Sequence, residues 1–337
     1  MSDEAESGSP DRSDDAPTRV AIACQGGGSH TAFTAGVLRA LLADWDDRFD
    51  LVGISGTSGG AFNALAAWYG LLTDGPERAR TLLASLWDEL AATDPTDRAA
   101  NDWITGIRRL EGAGFPLPHV TPYQIPGPET GKDRIRGILE RHIDFGAVPD
   151  LCTADAPELV VGTVNVNEGY FETFTNEEVT VDAVLASAAV PDLFEAVEIH
   201  GHLHWDGLFS QNPPINDLMH VPPARKPEEL WIVQINPQTF EGEPRSAEAI
   251  ADRRNQLSGN LSLNQELRFI ERVNEWVEDG TLPEGQFTHT AVRRIQLGKQ
   301  LRSATKVDRS PRFVEELRRL GRKRAETFLA DHPRREP

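Results

Sequence analysis

The stretch Gly56-Thr57-Ser58-Gly59-Gly60 places a serine at the centre of a Gly-x-Ser-x-Gly arrangement. Leu51, Val52 and Ile54 before it are strand-like, and Ala61, Phe62, Ala64, Leu65 and Ala66 after it are helix-like. A serine on a sharp strand-to-helix turn has its hydroxyl held clear of the sheet, and only small neighbours such as Gly56, Gly59 and Gly60 allow that close approach. The chemistry such a serine can do is nucleophilic attack on an acyl carbonyl. The competing reading is a glycine-rich turn that only packs closely. Because the motif recurs by chance, taken alone it divides evenly between the two.

A second chemical feature precedes it. Gln25-Gly26-Gly27-Gly28-Ser29 follows the apolar run Arg19 to Cys24. Three consecutive glycines suit a phosphate loop, a dinucleotide fingerprint or an oxyanion hole. No Gly-Lys-Ser/Thr follows, which removes the first. Gly26-x-Gly28-x-x-Thr31 lacks the third glycine of the second, and no acidic ribose partner follows a later strand. The third use, backbone N–H groups that stabilise a developing oxyanion, requires a nucleophile on a neighbouring strand end. The elements supply one. Residues 19 to 55 read as strand, apolar helix (Ala32, Phe33, Ala35, Val37, Leu38, Leu41, Leu42) and strand, a crossover that makes the two strands parallel. Gly26 to Gly28 and Ser58 then emerge at the same carboxyl edge, where open α/β sheets bind ligands.

The serine also needs a proton acceptor. Of nine histidines, His289 lies in what reads as an ordinary strand start and His332 in a charged tail; neither is a persuasive base. Asp206 ends a short strand and precedes Gly207, so the backbone can turn and carry the carboxylate into a site; a partly desolvated carboxylate can act as the base. Position alone favours a plain turn aspartate. His202, His204 and Asp206 alternate along one strand face, which raises a second class of function, a metal-dependent hydrolase. The alternative is that the two histidines flank an exposed hairpin.

Three features in this order resemble the patatin-like phospholipase family: Gly26-Gly27-Gly28 after the first strand, Gly56-Thr57-Ser58-Gly59-Gly60 after the second, and Asp206-Gly207-Leu208 much later. Ala186 to Pro191 and Asn212-Pro213-Pro214 resemble the segments flanking that family's aspartate. The resemblance implies a Ser58–Asp206 dyad, an oxyanion hole from the amides of Gly26, Gly27 and Gly28, and an elbow shaped by Gly56 and Gly60. It implies a three-layer α/β/α fold with a mostly parallel central sheet, hydrolysis of lipid acyl esters through an acyl-enzyme, transient contact with a membrane surface, and no metal or organic cofactor. Two positions depart from the family pattern: His30-Thr31 stands where Arg-Gly is usual, and Leu208 where a glycine or alanine is. Readings of other classes are the metal hydrolase on His202, His204 and Asp206, and a lipid binder without turnover.

Around these features the chain divides into an acidic, disordered tail (1–17), a catalytic core (18–220), a C-terminal α/β extension packed on the same domain (221–330) and a short tail (331–337). Helices are expected over 76–92, 133–142, 181–188, 247–277 and from Ser310-Pro311 onward. From Asp94 to Gly131, prolines and glycines are read as breaking any long element. This leaves an apolar loop over 101–128, including Trp103 and Phe115, either as a lid or acyl-chain wall or, equally, as a surface excursion packed on the core. Only Cys24 and Cys152 are present, too few for a disulfide framework. With no secretory leader and no membrane-length apolar run, the expectation is a cytoplasmic protein.

The net charge is −19, which argues against nucleic acid as a partner and against electrostatic docking on anionic lipid at low salt. Only 5 of the 34 basic residues are lysine. Surplus acid with little lysine fits a salty cytoplasm that screens self-repulsion; a GC-rich genome replaces lysine with arginine equally well. Solubility and activity that rise in molar KCl would support the first origin, and a salt optimum near zero would exclude it.

Overall fold

The computed structural model describes residues 16–115, 121–124, 128–283 and 286–331 of the chain. Its strands are β1 (Thr18–Cys24), β2 (Phe49–Thr57), β3 (Glu158–Asn165), β4 (Tyr170–Thr175), β5 (Val197–Ile199), β6 (His202–Asp206), β7 (Glu229–Gln234) and β8 (Ala291–Gln296). They form one sheet in the order β5-β6-β3-β2-β1-β7-β8, with β4 also on β3. β1 is parallel to β2 and β7, β2 to β3 and β7 to β8; β4 and β6 run antiparallel to β3. The central strands are continuous apolar runs because helices cover both faces.

The helices are α1 (Ala32–Ala43), α2 (Gly59–Leu90), α3 (Pro95–Gly112), α4 (Pro128–His142), α5 (Val148–Leu151), α6 (Val181–Ser187), α7 (Asn216–Met219), α8 (Ala247–Glu278) and α9 (Pro311–Ala330). One face of the sheet packs on α1, α2, α4, α6 and α9 around Phe33, Leu38, Trp68, Leu83 and Trp231. The other packs on α7 and α8, with Leu218, Leu263, Leu267 and Ile270 against Ala21, Val52, Val160 and Ile232. This is the three-layer α/β/α arrangement. The apolar α1 is buried along most of its length because α9 lies on its outer side. Gly36 and Gly321 meet backbone at that crossing, with no room for a Cβ. Among the described residues, no helix is long and apolar enough to cross a membrane.

The register on β3 explains how remote segments meet. β4 occupies one edge of β3 over Val160–Asn165. The opposite edge is shared: β2 pairs with Gly162 through Thr57 and stops, and β6 pairs with Thr163 through Asp206. β2 and β6 therefore run toward each other along a single edge and abut.

One expectation fails. Asp94 to Gly131 is not a long loop, because α3 fills 95–112 and α4 begins at Pro128. Pro95 is the first helical residue, where its missing N–H costs nothing, and Asp94 caps the helix by accepting the Asp97 N–H at 2.9 Å. Gly106 is tolerated inside the helix. Trp103 and Phe115 are 72% and 60% exposed, so they form no buried acyl wall; 116–120 and 125–127 lie outside the described residues. So do residues 1–15 of the expected tail, His119 and 332–337, His332 included.

Candidate active site

Ser58 is the residue between β2 and α2. Its φ of 57° and ψ of −131° are a sparsely populated, strained combination for a residue with a side chain. Small neighbours permit it. A Cβ on Gly56 would collide with the Gly60 backbone, and one on Gly60 with the Cys24 carbonyl. The turn is pinned from outside by Ser187, at the end of α6: its Oγ accepts the Ser58 N–H at 2.9 Å and donates to the Gly162 carbonyl at 2.7 Å. Thr57 Oγ1 donates to the Gln211 carbonyl at 2.8 Å. The Ala61 and Phe62 amides of α2 donate back to the Ser58 carbonyl at 2.9 and 3.3 Å, while the Gly59 amide at the head of the helix has no carbonyl one turn back to bond.

Asp206 is fully buried. Its Oδ1 accepts the Leu208 N–H at 2.8 Å, and its Oδ2 has no hydrogen-bond partner among the described residues. Its own N–H bonds the Ala189 carbonyl at 3.0 Å. Burial pushes the carboxyl up to about 7; the Ser58 hydroxyl, the Leu208 amide and the Lys306 ammonium pull it back down. The carboxyl thus sits beside the serine, with one oxygen free and an affinity for protons suited to a base at neutral pH.

The glycine run lies on the other side of the elbow. A Cβ on Gly26 would stand 2.5 Å from the Thr57 carbonyl oxygen and 2.9 Å from the Ser58 Cβ. Gly28 takes a left-handed φ of 58° and starts the 3-10 turn Gly28–Thr31. The Gly26 N–H donates to Asn212 Oδ1 at 2.6 Å. The Gly27 and Gly28 N–H groups meet no acceptor among the described residues. Sequence reasoning passed over the residues that hold this turn. Gln25, Asn212 and Asn63 are polar yet buried, and Asn63 Nδ2 donates to the Thr31 and Gly59 carbonyls at 3.0 and 2.8 Å. The available signal was a glutamine closing an apolar strand and an asparagine inside an apolar helix.

The histidines do not converge on Asp206. His204 Nε2 bonds Glu172 Oε2 at 2.9 Å and its Nδ1 lies 3.0 Å from the His202 carbonyl. Asp206 instead accepts the Leu208 N–H. Among the described residues no group of three His, Cys, Asp or Glu side chains could hold a metal ion, so the metal-site reading of His202, His204 and Asp206 falls. His289 pairs with Glu278 at 3.1 Å. His30 is buried and pushed down to about 3 by desolvation and by the Lys306 charge, and is neutral.

A model of the patatin-like phospholipase family matches residues 22–219. No curated protein matches the chain. Among solved structures, VipD from Legionella pneumophila is similar with a TM-score of 0.45 and 15% identity, over 94% of this chain and 67% of that one.

The raised carboxyl has a consequence for stability. A carboxyl whose folded pKa exceeds its unfolded value disfavours folding above about 7, and that cost fades as pH falls toward the ordinary carboxylate range. From 3.8 to about 7, the full cost is on the order of 4 kcal/mol. Asp206→Asn, neutral at every pH, is expected to exceed wild type in urea-unfolding stability at pH 8, with the gap closing as pH falls from 7 toward 4. Glu266, also raised to about 7 by burial, titrates in both proteins and cancels. A gap that does not change with pH would show that Asp206 titrates normally.

Proposed function

The chain belongs to the patatin-like phospholipase family, and from that premise we propose that it hydrolyses carboxylic esters of lipid acyl chains with Ser58 as nucleophile and Asp206 as base. The observation that carries this reading is the abutment of β2 and β6 on one edge of β3, which sets a strained serine against a buried carboxyl with a free oxygen. Ser58 Oγ attacks the ester carbonyl carbon as its proton passes to Asp206. The oxyanion rests on the amides of Gly27 and Gly28 and the first amide of α2, each such donor contributing on the order of 3 kcal/mol. Collapse expels the alcohol, which takes the proton from Asp206. Water, deprotonated by Asp206, then attacks the acyl-enzyme; the acyl–Oγ bond breaks, Ser58 Oγ takes the proton back from Asp206 and the acid is freed. No metal or organic cofactor enters these steps. A binder without turnover has no use for a strained serine beside a desolvated base.

The surface supports a lipid aggregate as the form of the substrate. Ser58 is 5% exposed, while large apolar side chains stand in water near it. The N-terminal half of α8 lies at the carboxyl edge, where Asn260 Nδ2 bonds the Pro237 carbonyl after β7 and Ser258 Oγ bonds the Phe209 carbonyl, three residues past Asp206. Ile250, Leu257 and Leu261 on this half are exposed and line a groove of about 570 Å³. α3 packs beside this half of the molecule and exposes Trp103 and Ile104. Exposed apolar patches mark interaction surfaces, and aromatic rings suit the headgroup level of a bilayer. Residues 221–330 form part of the same domain in this reading, supported by β7 and β8 in the one sheet.

A fluorophosphonate probe is expected to label wild type at Ser58, to leave Ser58→Ala unlabelled and to label Asp206→Ala at least 100-fold more slowly. With a soluble short-chain ester, kcat/KM is expected to fall below about pH 7 as Asp206 takes a proton. Equal labelling of Ser58→Ala would sink the reading. Separately, Ser58→Ala protein is expected to co-sediment with phosphatidylcholine vesicles. Adding Trp103→Ser, Leu257→Ser and Leu261→Ser should abolish that binding. Trp276→Ser, at the far end of α8 near the start of β8, should not; loss in both would point to general damage instead of a docking face.

A further inference from the structure

Resting on the Ser58–Asp206 reading, we propose that Lys306 is a positioning residue for that pair, seating the glycine turn with its backbone and bringing a positive charge to the buried carboxylate. It comes from the 3-10 segment Ser303–Val307, well outside the family-matched residues 22–219.

Three contacts fix this segment over the site. The first is backbone on backbone: a Cβ on Gly28 would collide with the Lys306 carbonyl, so the segment lies directly on the left-handed glycine. The second is His30 Nε2 to Thr305 Oγ1 at 2.8 Å. Thr305 spends its single hydroxyl proton on the Arg302 carbonyl at 2.6 Å, so its oxygen accepts and His30 donates. This fixes the neutral His30 with its proton on Nε2. The third is Lys306 Nζ to Asp252 Oδ1 on α8 at 2.5 Å, a pair only 24% and 17% exposed. Asp252 Oδ2 also accepts from Gln256 Nε2 at 2.7 Å, which holds its carboxylate in place.

The charge that results is partly balanced. Lys306 brings its positive charge to bear on Asp206 and favours the ionised form. Of the other titratable groups around the carboxyl, His30 is kept neutral by burial and by Lys306 itself, and His204, two residues back on β6, is engaged by Glu172. Asp252 faces Lys306 and offsets its charge. Opposite charges near a carboxyl favour its ionised form and like charges disfavour it. The two members of the pair therefore push Asp206 in opposite directions. Removing the ammonium raises its proton affinity, and removing the Asp252 charge uncovers the ammonium and lowers it. A segment that merely packed on the turn would give no such opposition.

The test is the pKa of Asp206 in wild type, Lys306→Met, Lys306→Arg and Asp252→Asn, read from its side-chain carboxyl ¹³C shift against pH and assigned by its loss in Asp206→Asn. The same proteins are assayed for kcat/KM against pH on a soluble short-chain ester. The expected result is an upward move of roughly half a pH unit or more in Lys306→Met, a downward move in Asp252→Asn and little change in Lys306→Arg, with the acid limb of kcat/KM following each. No move, or moves in the same direction, would overturn the proposal. If Lys306→Met does not fold, the downward move in Asp252→Asn decides. The NMR readout needs no turnover. Opposed carboxyl shifts with no reaction at Ser58 would uphold the role of Lys306 and overturn the hydrolase reading alone.

Discussion

The edge of β3 is the constraint on which the site depends. A strand edge offers one hydrogen-bonding partner per position. With β4 on one side, the other side has to be divided between β2 and β6. The division falls between Gly162 and Thr163, so the ends of β2 and β6 come face to face. Neither strand can lengthen without displacing the other. Residues 58 and 206, 148 positions apart in sequence, are thus set side by side by backbone pairing, before any side-chain interaction between them. Gly207 shows how tight the junction is: a Cβ there would stand 2.7 Å from the Gly162 carbonyl oxygen. Ser187 bonds that same carbonyl and the Ser58 amide, so the elbow, the β3 edge and α6 share one polar contact in a dry interior.

Dryness also sets the chemistry. A carboxyl denied water gains proton affinity, and without that gain an aspartate would be too weak a base for a serine at neutral pH. The same burial acts in reverse on His30, which loses its proton and becomes a neutral wedge between the glycine turn and Phe313. In a chain with net charge −19, the buried carboxyl feels the positive charge of Lys306. The abundant acid lies elsewhere, where water screens it.

Much of this was legible in the sequence because the signals were local. The apolar run to Cys24, the glycines after it and the strand-to-helix change around Ser58 identify one crossover, and a crossover fixes which sheet edge carries both motifs. The long helices at 247–278 and 311–330 follow from periodicity and caps. Asp206 was harder. Asp-Gly is a common turn, and what distinguishes this one is the pairing of its strand with Thr163, a non-local fact. The region after Asp94 was misread because Pro95 was taken as a breaker although it starts α3, and because α3 turns its apolar side outward, against the usual inference from amphipathicity. The alternating His202, His204 and Asp206 did share a face, but Glu172 from β4 claims His204 first. Nothing in the sequence announced that partner.

Gln25 shows why the last third of the chain belongs to the site. This buried side chain closes β1, immediately before the glycine run. Its Nε2 donates to the Asn212 carbonyl and to Asn260 Oδ1 at 3.1 and 3.0 Å, and its Oε1 accepts the Ile235 and Asn236 N–H groups at 2.9 and 2.7 Å. All its usual hydrogen-bonding capacity is met. Three of these four partners lie beyond residue 219, where the family match ends. A buried amide with partners missing is costly, so the position of the glycine run is tied to the end of β7 and to α8. Asn212, which holds the Gly26 amide, hangs from the same glutamine. The segment carrying Lys306 then closes over Gly28 from the far side. Ser58 and Asp206 are set by strand pairing within the matched segment, but the glycine turn beside them is held by residues that follow it.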